Sequence, residues 1–306
     1  MPFFSVVVPL YNKECSVGRA VNSVLSQSFS SFELIIVDDG SSDSSAEVVS
    51  SFRDPRLKML EQPNMGPSAA RNSGCKSANA AYVCFLDADD KWDASFLETM
   101  AVLIEKAPEA GMYSVKYRVV DEDGHTFHHA SNYPNGYLGY IEDFYKAYSA
   151  RGLINSSSVC MKRDSLFAIG GFPEHARIGE DIYTWLRLAD VNRVAYANVE
   201  CVTIFRDAEN RASASVRKEI PYHIKNVLEG HAKEFTKANR SSVIRFVAKN
   251  TVSHSAGAVL MGDRHAAFMM TRLLWRNSFR YSLQALSMAL MPKCLLRLLR
   301  KLRNTR

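Results

Sequence analysis

The sequence predicts an α/β protein, a sheet flanked by helices with a helical C-terminal extension, and three observations predict it. Apolar runs of strand length alternate with segments of helical period through the first part of the chain. The loops that follow those runs are rich in Asp, Asn, Ser and Gly. From about residue 216 the strand-like runs stop and the apolar spacing becomes helical.

Taken in order, Ser5 to Leu10 reads as a buried strand and Val17 to Gln27 as a helix with apolar positions at Val17, Val21, Val24 and Leu25. Phe32 to Val37 is a second buried strand, so the first three elements form a parallel unit. Asp43 to Phe52 reads as a helix, Leu57 to Leu60 as a short strand, Pro67 to Asn79 as a helix and Ala81 to Leu86 as the next strand. Trp92 to Ile104 continues as a helix. A sheet of this kind gathers ligands at the C-terminal ends of its strands.

The chain has 306 residues, 47% of them hydrophobic, which allows one large or two moderate domains and excludes a disordered chain. The six cysteines stand singly, without zinc or redox spacing, so reduced thiols in a cytoplasmic setting are expected. Phe3 to Leu10 is too short for a secretory signal, contains Pro9 and lacks a basic leader, and the apolar stretches near the C-terminus are too interrupted to span a membrane. After Asp263 there is no acid but ten Lys and Arg, which against a net charge of +6 leaves residues 1–263 at −4.

Chemistry is concentrated after the apolar runs. Tyr82 to Leu86 ends in Asp87, Asp89 and Asp90, and carboxylates so close together repel unless a cation or hydrogen bonds compensate. Their oxygens suit magnesium or manganese; Asp90 or Asp93 equally reads as a cap for the following helix. Pro9-Leu-Tyr11-Asn12 follows the first strand and Asp38-Asp-Gly-Ser-Ser-Asp43 the second. Tyr11 can stack on a base, Asp38 or Asp39 can accept from a base N–H, and Ser41, Ser42 and Asp43 read as caps. In Asn64 to Gly74, Gly66-Pro67 starts a helix and Arg71 lies one turn in, suited to a diphosphate and equally to a neighbouring carboxylate.

Pro9-x-Tyr11-Asn12, Val37 to Asp43, Asn64-x-Gly66-x-x-x-Ala70-Arg-Asn-x-Gly74 and Phe85 to Asp90, in that order, resemble the family-2 glycosyltransferases with a GT-A fold, of the bacterial cell-surface polysaccharide type. Asn155 to Val159, Gly170-Gly-Phe172 and Gly179 to Leu188 extend the resemblance over about residues 3 to 215. It implies a GT-A domain over 1–215; residues 216–306 lie outside the resemblance and read as α-helical from their own apolar spacing. It implies donor-binding roles for Pro9, Tyr11, Asn12, Asp39, Arg71 and Asp87, and Asp89 as ligand of a divalent cation, Mn2+ or Mg2+. Asp181 would be the catalytic base, with Glu180 as runner-up. The implied reaction is inverting transfer of a hexose or N-acetylhexosamine from a nucleoside-diphosphate sugar, a UDP-sugar by resemblance, to a glycan or lipid-linked glycan in polysaccharide or lipopolysaccharide synthesis.

Both acids also sit where a helix dipole favours negative charge. Gly170-Gly171 reads as a helix end turning Phe172 toward the acceptor side, while Trp185 and Leu188 read as core. Relatives often carry an aromatic-Arg-x-His pattern after the last strand, whose His can complete the metal site. This chain has Phe205-Arg-Asp-Ala208, leaving Asp207, Glu209 or water as substitutes. Asn210 to Lys218 resembles a loop that orders over bound donor. That departure keeps a second function class in view, a non-catalytic nucleotide-sugar-binding scaffold.

Ile220 to Lys237, Val243 to Leu260 and Ala266 to Leu290 read as helices. Beyond Pro292, Lys293, Arg297, Arg300 and Lys301 take one face of a helix and Leu295, Leu298, Leu299 and Leu302 the other. Such a helix suits an anionic membrane surface, on the cytoplasmic face for a cytoplasmic protein, ahead of the alternative of a solvated helix packed on a neighbouring subunit. Nucleic acid is not expected, since no aromatic interleaving accompanies the basic residues of this last helix.

Overall fold

The apolar runs become strands β1 (Phe4–Leu10), β2 (Phe32–Asp38), β3 (Leu57–Glu61) and β4 (Tyr82–Phe85), all mutually parallel in the order β3-β2-β1-β4. The computed structural model describes residues 1–151, 153–207 and 219–304. Among these, the sheet continues through β9 (Val159–Lys162), β6 (Ala110–Val120), β10 (Arg193–Phe205) and β5 (Lys91–Trp92), while β7 (Thr126–His128) pairs β6 and β8 (Leu138–Tyr140) pairs β10. β9 runs antiparallel to both β4 and β6, so the sheet is mixed.

Helices α1 (Val17–Leu25), α2 (Ser45–Ser50), α3 (Pro67–Ser77) and α4 (Phe96–Lys106) connect the early strands. Alternation in β1 sets its two faces. Val6, Val8 and Leu10 enter one core with Val17, Ala20, Val21 and Val24 of α1 and Phe96, Met100 and Leu103 of α4. Leu25, expected on the buried face of α1, is only partly buried, and Ala20 takes that place. Val7 points to the opposite face, where Gly74 of α3 lies so close that an added Cβ would overlap its Cγ1. The helix expected from Trp92 starts instead at Phe96, because Lys91–Trp92 pairs with β10 as β5 and the Trp92 ring stacks on Phe96 at 3.7 Å.

Helices α5 (Phe144–Arg151), α6 (Arg163–Ala168) and α7 (Glu180–Val191) follow. The chain divides into two compact units, Met1–His175 with Thr184–Arg211, and Ala176–Tyr183 with Ala212–Arg306. Where the sequence suggested a boundary after residue 215, the C-terminal unit takes in Ala176–Tyr183 and begins again at Ala212.

That second unit is helical, with α8 (Tyr222–Leu228), α9 (Arg240–Met261), α10 (Arg264–Trp275), α11 (Phe279–Leu290) and α12 (Lys293–Asn304). The helix expected over Ile220 to Lys237 stops early because Gly230, at φ 117°, turns the chain into a single 3-10 turn, His231–Glu234. The helix expected over Ala266 to Leu290 is two helices. Ser278 is extended between them, and Asn277 Nδ2 donates to the Leu228 and Leu273 carbonyls, which fixes the corner. Leu296 of α12 is buried with Val259, Met270 and Ala289, whereas Leu295 and Leu298 are exposed. Leu299, Arg300, Lys301 and Leu302, assigned to the two faces above, lie outside the residues whose side chains are described. No helix among the described residues is long and apolar enough to cross a membrane.

Candidate active site

The acidic turn after β4 is held by partners from distant segments of the chain. Arg71, buried on α3, donates from Nη2 to Asp87 Oδ1 at 2.9 Å, and the Asp87 side chain keeps 32% of its surface open. Lys13 Nζ donates to Asp89 Oδ2 at 2.7 Å, with the Asp89 side chain 16% exposed. Arg19 Nη2 donates to the Asp89 carbonyl at 2.6 Å while its guanidinium lies 3.8 Å from the centre of the Phe205 ring. The positive charge that crowded carboxylates demand is thus supplied within the chain.

Asp90 departs from the capping role open to it in the sequence. It is buried, its Oδ2 accepts from Ser157 Oγ, and its Oδ1 accepts from the Phe205 N–H at 3.1 Å. Burial, with Asp87 and Asp89 close by, pushes its carboxyl well above the usual carboxylate range. Nor is Asp93 the N-cap of α4: its carboxylate pairs with Arg118 at 2.7 Å, and Ser95 occupies the N-cap without a side-chain bond. Ser157 is the hub, donating to Asp90, accepting the Asp87 N–H at 3.0 Å and, through its carbonyl, the Trp92 indole N–H at 2.6 Å. Asn155 presents it by capping the 3-10 turn Ser156–Ser158.

The first two strand-end loops interlock. Asn12, at φ 50°, donates its N–H to Ser41 Oγ and accepts the Ser42 N–H on Oδ1 at 2.8 Å. Asp39 is buried and accepts from Gln62 Nε2 and the N–H groups of Met65 and Gly66, so its carboxylate anchors the segment that begins α3. Asp38 accepts the Ser41 N–H, Asp43 accepts those of Glu14 and Ser45, and Tyr11 is exposed beside them. Pro9 lies within β1, paired with Val37.

Phe172, expected to face the acceptor side, is instead buried against Phe85 with ring centres 5.3 Å apart. Asn72 of α3 fixes it by accepting the Phe172 N–H and donating to its carbonyl, both at 2.9 Å. Gly171, at φ 76°, leaves the room that Asn72 fills. Trp185 and Leu188 are core, as expected.

Glu180 and Asp181 form the first turn of α7 and belong to the second unit. Glu180 is buried; Asp181 is partly open and accepts the Ile182 N–H at 2.6 Å. The turn before them is set by α8. The Tyr222 N–H donates to the Ile178 carbonyl at 2.7 Å, and buried His223 lies against Gly179, whose φ of 74° and missing Cβ make that approach possible. His223 Nε2 pairs with Asn250 Oδ1 at 2.9 Å, and burial pushes its pKa down to about 3.

Among the described residues, a three-residue grouping of potential metal ligands occurs elsewhere, at Asp121, Asp123 and His125 in the β6–β7 turn, with ligand atoms within 4.8 Å of one another. Asp121 Oδ1 there accepts the N–H groups of Asp123 and His125, which closes the turn. Asp207 is exposed; Ala208, Glu209 and Asn210 to Lys218 lie outside the described residues.

Residues 5–166 match the family model described as glycosyl transferase family 2. The chain belongs to this family. A putative teichuronic acid biosynthesis glycosyltransferase of Bacillus subtilis, TuaG, is 30% identical over 217 residues, covering 70% of this chain and 82% of that one. An uncharacterized glycosyltransferase of Rickettsia felis is 30% identical over 200 residues, covering 62% of this chain but only 31% of the relative's length. Several curated glycosyltransferase relatives are thus about three times as long as the part this chain matches. The crystal structure of S. aureus TarS residues 1–349 with UDP-GlcNAc superimposes with a TM-score of 0.70 over 89% of this chain and 81% of that one at 19% identity, which establishes the GT-A fold.

Sequence reasoning missed Lys13, Arg19, Asn72, Ser157 and His223. Lys13 follows Tyr11-Asn12 directly, but an isolated lysine in a loop carries no sign of its partner. Ser157 lay inside the Asn155 to Val159 motif without an assigned task.

Proposed function

We propose that the protein is an inverting glycosyltransferase that moves a hexose or N-acetylhexosamine from a UDP-sugar to an acceptor hydroxyl in cell-surface polysaccharide synthesis. The observation that carries this reading is the pairing of Arg71 with Asp87 and Lys13 with Asp89 at the C-terminal end of β4. Such an array of partly open carboxylates and cations suits a magnesium or manganese diphosphate better than a neutral ligand. The sugar class rests on the UDP-GlcNAc bound by TarS and the polysaccharide setting on TuaG.

The carboxylates fit a hard divalent cation, and Asp89 would hold it. Bound there, the ion would neutralise charge on the departing diphosphate. In this reading Tyr11 stacks on the base while Asn12 and Pro9 shape the turn beneath it. Asp39 holds the base-side loop and has capacity for one further N–H. Arg71 shares its guanidinium between Asp87 and the phosphates, with Asp87 toward the ribose.

Transfer forms a bond from the acceptor oxygen to the anomeric carbon and breaks the bond from that carbon to the diphosphate. Asp181 takes the acceptor proton as its oxygen becomes nucleophilic, and attack from the face opposite the leaving group inverts the centre. Asp181 is preferred to Glu180 because it is the more open of the two. A glycan or lipid-linked glycan is the acceptor in this reading. The basic helix α12 would rest on an anionic membrane, on its cytoplasmic face.

Asp181→Asn tests the mechanism. It is expected to lower transfer by about 10²- to 10⁴-fold while UDP-sugar affinity, read by thermal shift with manganese, changes less than about twofold. Retained turnover would remove Asp181 from the role of base. If the wild type binds donors yet releases no nucleoside diphosphate with any acceptor extract, the scaffold reading replaces the enzyme.

A further inference from the structure

The corner between α10 and α11 exposes side chains that a water-facing helix pair does not need. Trp275 is 55% exposed and Phe279 63%, and their rings meet edge to face with centres 5.6 Å apart. Beside them a groove of about 400 Å³ is lined by Phe268, Thr271, Arg272, Trp275, Arg276 and Leu286. Its walls are apolar and its charges are two guanidiniums one helical turn apart on the same face. Neither Arg272 nor Arg276, nor the nearby exposed Arg280, forms an ion pair among the described residues, and no acidic residue follows Asp263 in the sequence.

We propose that this corner is a membrane-docking surface whose occupant is an anionic phospholipid leaflet, with Trp275 and Phe279 in the interfacial layer and Arg272 and Arg276 on lipid phosphates. Charge complementarity selects the occupant. A second copy of this chain would bring the same uncompensated arginines face to face, which costs energy. Indole rings favour the headgroup level, where one edge is apolar and the N–H meets water, and guanidiniums bind phosphate in a fork while their stems lie along apolar surface. The inference rests on the reading that the protein docks on an anionic membrane and extends the contact from α12 to the α10–α11 corner.

The protein reports on itself, because Trp92 and Trp185 are buried and Trp275 is not. The full chain is mixed with vesicles of phosphatidylglycerol and phosphatidylcholine whose acyl chains are brominated near the headgroup. Quenching of tryptophan emission is expected with the anionic vesicles, absent with phosphatidylcholine alone, and absent in Trp275→Ser. Arg272→Gln with Arg276→Gln is expected to weaken vesicle partitioning about tenfold or more with unchanged circular dichroism.

Co-sedimentation without quenching would leave α12 as the contact and overturn this proposal while sparing the membrane reading. No co-sedimentation at all overturns both. A dimer in solution that Trp275→Ser dissociates would give the surface to a second copy, and retention by nucleic acid in place of vesicles would also overturn it. None of these readouts depends on donor binding, so the glycosyltransferase reading stands or falls separately.

Discussion

Asp87, Asp89 and Asp90 are neighbours in the chain, yet each meets a different partner. Asp87 and Asp89 hold cationic side chains and stay partly open, whereas Asp90 is taken inside to join Ser157 and the end of β10. The carboxylate cluster itself was legible in the sequence, since the cost of crowding acids is local, but the fate of Asp90 was not, since its partner is 67 residues away. His223 makes the same point and yields a test. Burial, reinforced by His254 and opposed by the bond to Asn250, holds its pKa near 3, so the unfolded chain binds a proton that the folded chain refuses. Its contribution is complete above about pH 6.5 and is lost as the pH falls toward about 3. His223→Gln is therefore expected to lose less stability than the wild type in urea titrations between neutral and acid pH; identical slopes would show that His223 is not buried neutral.

At the scale of elements, α3 shows how one residue fixes a helix over the sheet. Gly74 faces Val7 at a separation too small for a Cβ, and that approach carries Arg71 to Asp87 and Asn72 to the turn at Phe172. Gly74→Ala sets two effects against each other. Helix propensity favours alanine by about 1 kcal/mol, while forcing a methyl into a packed core costs about 1–3 kcal/mol or more. Val7 is fully buried in β1 and the added Cβ would overlap its Cγ1, so net destabilisation is expected, with loosened donor affinity. An unfolding midpoint at or above that of the wild type would mean that the helix shifts freely. Element starts were readable where apolar period and Gly-Pro signals agreed, as at Pro67. They failed where a distant strand competed, as at Trp92, which β10 takes into the sheet, and where a lone side chain set a corner, as Asn277 does between α10 and α11.

At the scale of the whole molecule, charge is divided along the chain, with ten basic residues after Asp263 on a chain whose net charge is only +6. Partitioning onto anionic vesicles is accordingly expected to fall steeply between about 0.05 and 0.5 M NaCl as the screening length shortens, and sedimentation indifferent to salt would argue for a purely apolar contact. The sequence by itself determined the α/β class, the run of strand-end loops that carries the family pattern, and the uneven charge. Each of these is written in residues close together along the chain, where periodicity and the energy of crowding like charges act. Tertiary packing alone settled that Lys13 meets Asp89, that Ser157 takes in Asp90, that Phe172 belongs to the core, and that Trp275 and Phe279 stand exposed near Arg272 and Arg276. Those outcomes depend on which distant segments are brought within hydrogen-bond or van der Waals reach, and a single sequence does not encode that distance locally.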